Sequence, residues 1–255
     1  MIKITATNDK IKLIKKLNRS GAREKSGMFI IEGRRAVTDA IENGAEISFI
    51  MYCEGSDFEF ESSIQQYSLD RKTFAEITDT SSPQDLLAVA KMKPLRLDDI
   101  VKASPSLIIV CDRVQDPGNL GTIIRTADAV GNAAVIISEG SVDMYNPKVI
   151  RSTMSSIFNL PIAKDVDILP ALDTFKNLGY KVVCGALRAE SSDLFSSSLR
   201  GKCIIIIGNE GSGASNEVIE ASDILVKIPI NGRAESLNAS VSCGILAYEH
   251  YRQNN

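Results

Sequence analysis

The chain of 255 residues has no tryptophan, and aromatic residues make up only 5% of it. It has a single histidine, His250, and five cysteines, none of which stands in a C-x-x-C pair. Zinc sites are built from clusters of His and Cys, so we expect no metal. A Ser–His–Asp type of nucleophilic catalysis would depend on that one histidine, which disfavours this class of enzyme.

The chain also lacks a long hydrophobic run. No apolar stretch approaches the roughly 20 residues of a membrane span, and CIIIIG has only the length of a strand. The first residues, MIKITATNDKIKLIKK, contain neither a continuous apolar segment nor a small-residue cleavage site, which disfavours a secretory signal. The scattered cysteines, such as Cys111 within LIIVCD, fit buried free thiols in a reducing compartment. We therefore expect a cytoplasmic protein with no membrane partner.

The net charge of −3 argues against nucleic acid as a partner until its distribution is considered. Residues 1–35 carry ten basic and three acidic side chains, which gives this segment about +7 and leaves about −10 for the rest. Such asymmetry predicts a phosphate-binding arm or edge. A solvated basic helix, LIKKLNRSGAREK, is the simpler alternative. The candidate RNA contacts are Lys12, Lys15, Lys16, Arg19, Arg23 and Arg34.

The second half of the chain alternates apolar, β-branched runs with helical patterns. LIIVCD, AAVIIS, KVVCGAL, CIIIIG and ILVKIPI are typical of strands. Continuous apolar strands that alternate with helices predict an α/β fold with a parallel sheet covered on both faces. The stretch KPLRLDDIVKASPS has two prolines and little periodicity, which favours a linker. We predict a smaller N-terminal α/β domain over residues 1–97, a linker over 98–105 and a C-terminal domain over 106–255.

Three blocks share a strand–loop–helix layout: DPGNLGTIIRTADAVG at 116–131, GNEGSG at 208–213 and IPINGRAESLNAS at 228–240. Loops that leave parallel strands meet at one sheet edge, where α/β proteins bind ligands. GNEGSG does not fit the phosphate-cradling motifs: its glycine order is G-x-x-G-x-G, no acid follows 20 residues later, and Gly-Lys-Ser/Thr is missing. Because Glu210 would repel phosphate, a ligand with a cationic or neutral polar part fits better.

Each block also has a purely structural interpretation. GNEGSG can be a tight turn with Glu210 in solvent. Asn119 can cap a helix, and Arg125, about 140° from Leu120 around it, can be a plain surface residue. Alternatively, Arg125 projects from the sheet edge and holds a phosphate bidentately beside a reacting hydroxyl. In the last block Ser236 or Asn238 can cap the final helix, yet the ESLN run places three hydrogen-bonding side chains where a cap needs only one.

Together the blocks resemble the three motifs of the SpoU (TrmH-type) RNA ribose 2′-O-methyltransferases, within the SPOUT superfamily. The matching residues are Asn119-x-Gly121-x-x-x-Arg125-Thr126-Ala127, Gly208-Asn209-Glu210-Gly211-x-Gly213, and Ile228-Pro229-Ile230 through Glu235-Ser236-Leu237-Asn238-Ala239-Ser240. Ala239 stands where valine is common in the family. The FIIEGRRAV segment in the first half is similar to the family's substrate-binding domain, which resembles an RNA-binding fold of ribosomal-protein type.

The resemblance implies a trefoil-knotted α/β domain that binds S-adenosylmethionine, forms a homodimer and methylates a ribose 2′-hydroxyl in structured RNA. The N-terminal domain favours 23S rRNA as substrate over tRNA. A tRNA enzyme and a non-catalytic RNA-binding protein of the same fold are the alternatives. A nicotinamide-dependent enzyme is disfavoured by the glycine order and the missing acid.

The resemblance also implies roles for single residues. Those implied to be catalytic are Arg125, Asn119, Glu210, Ser236 and Asn238. The implied cofactor contacts are Gly208, Asn209, Glu210, Gly211, Ile228, Pro229, Ile230, Ser236, Leu237 and Asn238. A guanidinium is a poor base, with a pKa above about 12, so we expect Arg125 to bind RNA phosphate and stabilise developing alkoxide charge. Whether Arg125 also accepts the proton is left open.

Overall fold

The computed structural model describes residues 1–58, 60, 63–78 and 84–255. The first elements of the chain are β1 (Ile2–Lys3), α1 (Asp9–Leu17), α2 (Ser20–Ser26), β2 (Met28–Glu32), α3 (Arg34–Glu42), β3 (Ile47–Cys53), β4 (Gln66–Leu69), α4 (Arg71–Ile77) and β5 (Leu86–Lys91). The later ones are α5 (Leu97–Ala103), β6 (Leu107–Cys111), α6 (Pro117–Val130), β7 (Ala133–Ser138), α7 (Pro147–Ser152), β8 (Ile162–Val166), α8 (Ile168–Asn177), β9 (Lys181–Gly185), β10 (Ser192–Asp193), β11 (Cys203–Ile207), α9 (Asn216–Glu220), β12 (Ile224–Lys227) and α10 (Ala239–Asn254).

The chain divides into two compact units. The N-terminal unit comprises Met1–Lys93 and Tyr145–Phe158, and the C-terminal unit comprises Pro94–Met144 and Asn159–Asn255. The predicted linker at 98–105 contains most of α5, whose Ile100 is fully buried in the core of the C-terminal unit. The predicted domain boundaries stay a prediction.

The N-terminal unit is built on a five-stranded sheet with the order β1-β4-β3-β5-β2. Strand β4 pairs in parallel with β1 and β3, whereas β5 is antiparallel to β3 and β2. Helix α1 begins after Asn8, whose side chain accepts a hydrogen bond from the Lys10 amide. Its apolar residues recur every three positions, so Ile11, Ile14 and Leu17 pack into the core. Lys12, Lys15 and Lys16 of α1 consequently lie on its exposed face.

The C-terminal unit contains a seven-stranded, parallel sheet with the order β10-β12-β9-β11-β6-β7-β8. This confirms the α/β class with a parallel sheet that the apolar runs predicted. Strand β6 is fully buried between β11 and β7, paired along its whole length with both. Each fully buried isoleucine or valine of such a strand stabilises the fold by about 1.5–3 kcal/mol. The late strand β11 thus lies between β6 and β9, and the loops that follow β6, β9, β11 and β12 meet at one edge.

Three predicted elements end differently in the structure. The run PKVIRSTMSSIF has the pattern of one helix, but α7 stops at Ser152, because Met154 and Ser155 take positive φ angles of 49° and 76°. The strand within ILVKIPI ends at Lys227, just before Pro229, which has no amide hydrogen for a ladder. The helical spacing of Leu237, Val241 and Ile245 predicts a last helix from about Leu237, but α10 begins at Ala239 and continues to Asn254. None of the described helices combines the length and apolar composition that crossing a bilayer requires.

Candidate functional site

A cavity of about 570 Å³ opens at the carboxyl ends of β9, β11 and β12. This volume lies in the range of small-molecule sites, and the position is where α/β sheets bind ligands. The lining residues are 185–188, 206–214, 216, 219, 226–228, 230, 236–239, 242 and 246. The loop at 185–188 was missed by the sequence analysis, although Gly185-Ala186 directly after a buried strand was a usable signal. The second and third motif loops therefore share one cavity, whereas Pro229 does not line it.

The loop after β11 closes tightly on itself. The amide of Asn209 donates to the carbonyl of Gly213 at 3.0 Å, and the amide of Gly213 donates back at 2.9 Å. A Cβ atom at Gly208 would lie 2.1 Å from the nitrogen of Ala214 and 2.3 Å from the carbonyl carbon of Gly213. Only glycine therefore permits this closure, which shapes the floor of the cavity.

The side chain of Asn209 holds the same loop from within. Its Oδ1 accepts hydrogen bonds from the amides of Gly211 and Ser212 at 2.9 and 3.0 Å. Its Nδ2 donates to the carbonyl of Arg113, in the loop after β6, at 2.9 Å. Asn209 was predicted as a cofactor contact. In the structure its side chain fixes the loop and ties it to a second one.

Glu210 links the loop after β11 to the start of α6. Its Oε1 accepts hydrogen bonds from the Asp116 amide and from Asn119 Nδ2, and its Oε2 accepts one from the Gln115 amide, all at 3.0 Å. Burial alone raises the pKa of Glu210, but these bonds outweigh burial, so its pKa lies below the ordinary value. Glu210 is therefore ionised at neutral pH and fully engaged with donors of this chain.

Asn119 connects Glu210 to the third motif. Asp116 caps α6 by accepting from the Asn119 amide, so Asn119 is not the cap but the third residue of the helix, and its side chain is free for other partners. While its Nδ2 donates to Glu210, its Oδ1 accepts from Asn238 Nδ2 at 2.9 Å. Asn238 Oδ1 in turn caps α10 by accepting from the amides of Ser240 and Val241. One chain of hydrogen bonds, Glu210–Asn119–Asn238, thus joins the three motifs.

Arg125 stands apart from this chain of hydrogen bonds. It lies six residues after Asn119, about 9 Å along the axis of α6, and its side chain is exposed. Among the residues that the structure describes, Arg125 has neither a hydrogen-bond nor an ion-pair partner. The structure therefore brings Asn119, Glu210 and Asn238 together but leaves Arg125 as a free cation on the outer face of α6.

The segment between β12 and α10 lines the cavity with Ile228, Ile230, Ser236 and Leu237. Within the described part of the chain, no hydrogen bond involves residues 229–237. Ser236 does not cap α10, a role that belongs to Asn238. The backbone amides and carbonyls of this segment, together with the Ser236 hydroxyl, are therefore available to a ligand.

Asp112 is a further positioning residue that the sequence analysis missed. Its carboxylate is buried, accepts from the Ser215 amide at 2.7 Å and pairs with the Arg113 guanidinium at 2.9 Å. The pKa of Arg113 is raised, chiefly by its hydrogen bond to Asp112. Asp112 is thus the third side chain, after Asn209 and Glu210, whose hydrogen bond links the loop after β6 to the loop after β11. An aspartate placed directly after a buried strand was the available signal.

The predicted RNA contacts of the N-terminal unit fall into two groups. Lys16 and Arg19 are exposed, and no hydrogen bond or ion pair of their side chains occurs among the described residues. Lys12 pairs with Asp9 at 2.9 Å and Lys15 with Glu76 at 3.0 Å, all with exposed side chains. Such surface pairs are weak enough to yield to a phosphate.

Arg23 and Arg34 differ from those lysines. Only 2% of Arg23 is exposed, and its Nη1 donates to the Leu17 carbonyl at 2.8 Å, so it stabilises the turn after α1 rather than offering a charge to RNA. Arg34 pairs with Asp57 and lies over the Phe58 ring, 4.8 Å from its centroid. Arg34 remains partly exposed. Arg23 is buried and therefore does not fit the predicted role.

The single histidine lies outside the lining of the cavity, and candidate metal ligands are scattered over the described residues. No group of three or more His, Cys, Asp and Glu side chains there is arranged to hold a metal ion. His250 is buried on α10, outside the lining of the cavity, and bonds the Gly201 carbonyl at 3.0 Å. Burial lowers the pKa of His250, against a smaller opposing effect of that bond. The single histidine is thus an anchor for α10.

Comparisons with known proteins agree on one family. The pattern of the SpoU rRNA Methylase family matches residues 106–248, and that of an MRM3-like substrate binding domain matches residues 8–88. The chain is 35% identical, over 96% of both chains, to the 23S rRNA (guanosine(2553)-2′-O)-methyltransferase RlmP of Bacillus subtilis. It is 29% identical to the 23S rRNA (uridine(2479)-2′-O)-methyltransferase of Streptomyces viridochromogenes, over 93% of this chain and 87% of that one.

A solved structure extends this similarity to the whole fold. The crystal structure of the SpoU methyltransferase AviRb from Streptomyces viridochromogenes, in complex with the cofactor AdoMet, superposes with a TM-score of 0.88 at 26% identity. The match covers 96% of this chain and 98% of that one. The similarity therefore spans both units and includes a relative that binds the methyl donor.

Proposed function

The chain belongs to the SpoU rRNA Methylase family, and we propose on that premise that it methylates the 2′-hydroxyl of one ribose in 23S rRNA with S-adenosylmethionine as donor. The observation that carries this function is the hydrogen-bond chain Glu210–Asn119–Asn238, which joins the three motifs at the edge of the cavity. To cap a helix, only one of these three side chains is needed. The complete set has a purpose only if the three loops must be held together around a ligand.

The cavity suits S-adenosylmethionine in size and chemistry. Its volume of about 570 Å³ is sufficient for a nucleoside with an amino-acid arm. The apolar side chains of Ile230 and Leu237 offer surface to the adenine ring, and the free backbone groups of the segment after β12 offer hydrogen bonds to its edge. When bound, the cofactor supplies a methyl group on a sulfonium. Gly208, Gly211 and Ile228 complete the predicted contacts.

Arg125 is the residue that we propose to act on the RNA. As a free, exposed cation it can bind the phosphate beside the target ribose in a bidentate manner and place the 2′-hydroxyl. Because guanidinium holds its proton at neutral pH, its contribution to the reaction is to stabilise the developing alkoxide. Asn119, Glu210 and Asn238 act as positioning residues, since their hydrogen bonds keep the start of α6 and the cofactor loops in register.

The exposed basic face of α1 is the proposed RNA-binding surface of the N-terminal unit. Lys12, Lys15, Lys16 and Arg19 lie on it, and Arg34 adds a cation at the start of α3. We leave Arg23 out of this surface because its guanidinium is buried. Binding through phosphates releases counterions, so affinity for RNA should fall steeply as salt rises.

We also propose a homodimer in which a partner subunit completes the site. Helix α10 exposes about half of Val241, Tyr248 and Tyr251, although its other face is buried. An apolar stripe of this kind on a helix marks an interface, and a second copy of this chain fits because α10 packs against α6, which bears Arg125. Sedimentation of a Val241→Asp, Tyr248→Asp variant is expected to show a monomer with reduced activity. A dimer of unchanged stability would refute this interface.

Three further features belong to the same proposal. A trefoil knot is favoured by the strand order, in which the late strand β11 lies between β9 and β6 while α10 packs against β11 and α6. A cytoplasmic location is favoured by the buried free cysteines. The division into an RNA-binding domain at 1–97, a linker at 98–105 and a methyltransferase domain at 106–255 is favoured by the two family matches.

Methyl transfer to RNA in vitro tests the proposed function. Purified protein, labelled S-adenosylmethionine and 23S rRNA are expected to give a single ribose-methylated position, which mapping of RNA from a deletion strain would then lack. Arg125→Ala is expected to abolish transfer while calorimetry still shows cofactor binding. Transfer to tRNA instead would select the alternative substrate, and cofactor binding without any transfer would select the non-catalytic alternative.

A further inference from the structure

The cavity contains a charged side chain to which the motifs assign no role. Arg188 follows β9, is exposed and lines the cavity beside the loop after β11. Its backbone is held in place, because its amide donates to Ser191 Oγ at 3.3 Å and its carbonyl accepts from the Ser191 amide at 3.1 Å. Ser191 itself is buried and donates to the Ala186 carbonyl at 2.8 Å. The turn therefore presents Arg188 at a fixed point of the wall.

The charge of Arg188 is not neutralised by this chain. Its Nη2 donates to the side-chain carbonyl of Asn216 at 2.5 Å, a neutral partner on the opposite wall of the cavity. In the described part of the chain, no carboxylate lies within ion-pair distance of Arg188. A guanidinium has five N–H donors, so the bond to Asn216 leaves others free for an anion in the cavity.

The other charged residues of the lining are Glu210 and Lys227. Glu210 is an anion that is already engaged by three donors. Lys227, the last residue of β12, is exposed and also lines the cavity. Unlike Arg188, its side chain has no hydrogen-bond or ion-pair partner among the described residues that would hold it towards a ligand. Arg188 is therefore the cation of the lining that a neighbouring side chain holds in place for an anionic ligand group.

We infer that Arg188 binds the carboxylate of the amino-acid arm of S-adenosylmethionine and that Asn216 holds the guanidinium in place for it. This inference rests on the proposed function, because it names a subsite for the same cofactor. The carboxylate is the one anionic group of that cofactor, and a guanidinium binds carboxylates through paired hydrogen bonds. Arg188 would thereby select donors that carry an amino-acid arm.

Calorimetry with two ligands tests this assignment. S-adenosylhomocysteine and its decarboxylated counterpart differ only in the carboxylate, so the ratio of their dissociation constants isolates that group. The wild-type protein is expected to bind the first more tightly by about fivefold at low salt, as suits a partly exposed ion pair. Arg188→Gln should bring this ratio close to one by weakening only the carboxylate-bearing ligand, and Arg188→Lys should restore part of it.

Two further variants separate charge from fold. Asn216→Asp keeps the shape of the side chain but places a carboxylate against Arg188, and an acid is favourable in the first turn of α9. It should therefore reduce the ratio as Arg188→Gln does. Lys227→Gln removes an equal charge from the same lining and should leave the ratio unchanged, whereas a ratio close to one in this variant would assign the carboxylate to Lys227 and overturn the inference.

Several outcomes would overturn the inference. If Arg188→Gln weakened both ligands by the same factor, Arg188 would act on the nucleoside or on the loop. If it left both dissociation constants unchanged but raised the KM for RNA, the guanidinium would serve the RNA backbone instead. A wild-type protein that binds neither ligand would refute the proposed function itself, and the subsite with it.

Discussion

Replacing Gly208 by alanine is expected to open the loop that forms the floor of the cofactor cavity. The new Cβ would lie 2.1 Å from the Ala214 nitrogen, whereas an ordinary contact begins at 3.4 Å, so backbone must retreat by about 1.3 Å. That movement breaks the two hydrogen bonds between Asn209 and Gly213, worth about 1 kcal/mol each. Forcing an extra methyl into packed atoms adds about 1–3 kcal/mol. The folded protein should therefore lose about 3–5 kcal/mol of stability.

The assay for this prediction is thermal unfolding combined with calorimetry of S-adenosylhomocysteine. A loss of 3 kcal/mol in a unit of this size lowers Tm by at least about 6 °C, and a displaced binding loop should weaken the ligand at least about tenfold. Gly211→Ala is the matched control for the loop, since its Cβ would meet only Asn209 Oδ1 at an ordinary 3.6 Å. Its Tm should stay within about 2 °C of wild type. Unchanged ligand affinity in Gly208→Ala would refute the argument that only glycine closes this loop.

Three other predictions concern the residues around the cavity and the basic face of α1. Asn119→Ala removes the link between Glu210 and Asn238 and should cost about 2 kcal/mol, with kcat reduced more than cofactor affinity in a methyl-transfer assay. The pKa of Glu210 is lowered in the folded state, so the stability that its charge contributes is present above the ordinary pKa of 4.5. That contribution is lost as the pH falls through the lower, folded-state pKa. When unfolding of Glu210→Gln is measured as a function of acid pH, this part of the stability loss should be missing. Lys16→Gln combined with Arg19→Gln should reduce the slope of log RNA affinity against log salt concentration by about 1–2. An unchanged slope would mean that α1 is merely a solvated helix.

The parallel sheet and the motif loops were predictable because they depend on local sequence. Runs such as CIIII are short, β-branched and apolar at every position, which is typical of a strand buried on both faces. Glycines and polar residues directly after those runs located the loops. The order of the strands was not predictable, since nothing within β11 indicates that it lies between β6 and β9. A sheet order depends on packing between elements far apart in the chain.

The sequence predicted the candidate site residues but not the partner of each. The motif pattern named Asn119, Glu210 and Asn238, yet their bonds span 91 and 119 positions of the chain. Asn238 has both of the roles that the sequence left open. Its Oδ1 caps α10, and its Nδ2 donates to Asn119 Oδ1. Arg23 was misjudged for the opposite reason: its charge was visible in the sequence, but its burial depends on how α2 folds against α1.

The motif residues differ in their hydrogen-bond partners, and this difference suits the separate roles that we propose for them. Glu210, Asn119 and Asn238 satisfy one another, and Asp112 and Asn209 secure the same loops, so these side chains cannot move without breaking bonds. A rigid frame of this kind places a bound donor at little entropic cost during the reaction. Arg125 has no such bonds, and this freedom suits the role that we propose for it, which is to bind an RNA phosphate and stabilise charge on a ribose oxygen. If Arg125 were instead fixed by an acid of this chain, its positive charge would be neutralised and the phosphate would bind more weakly.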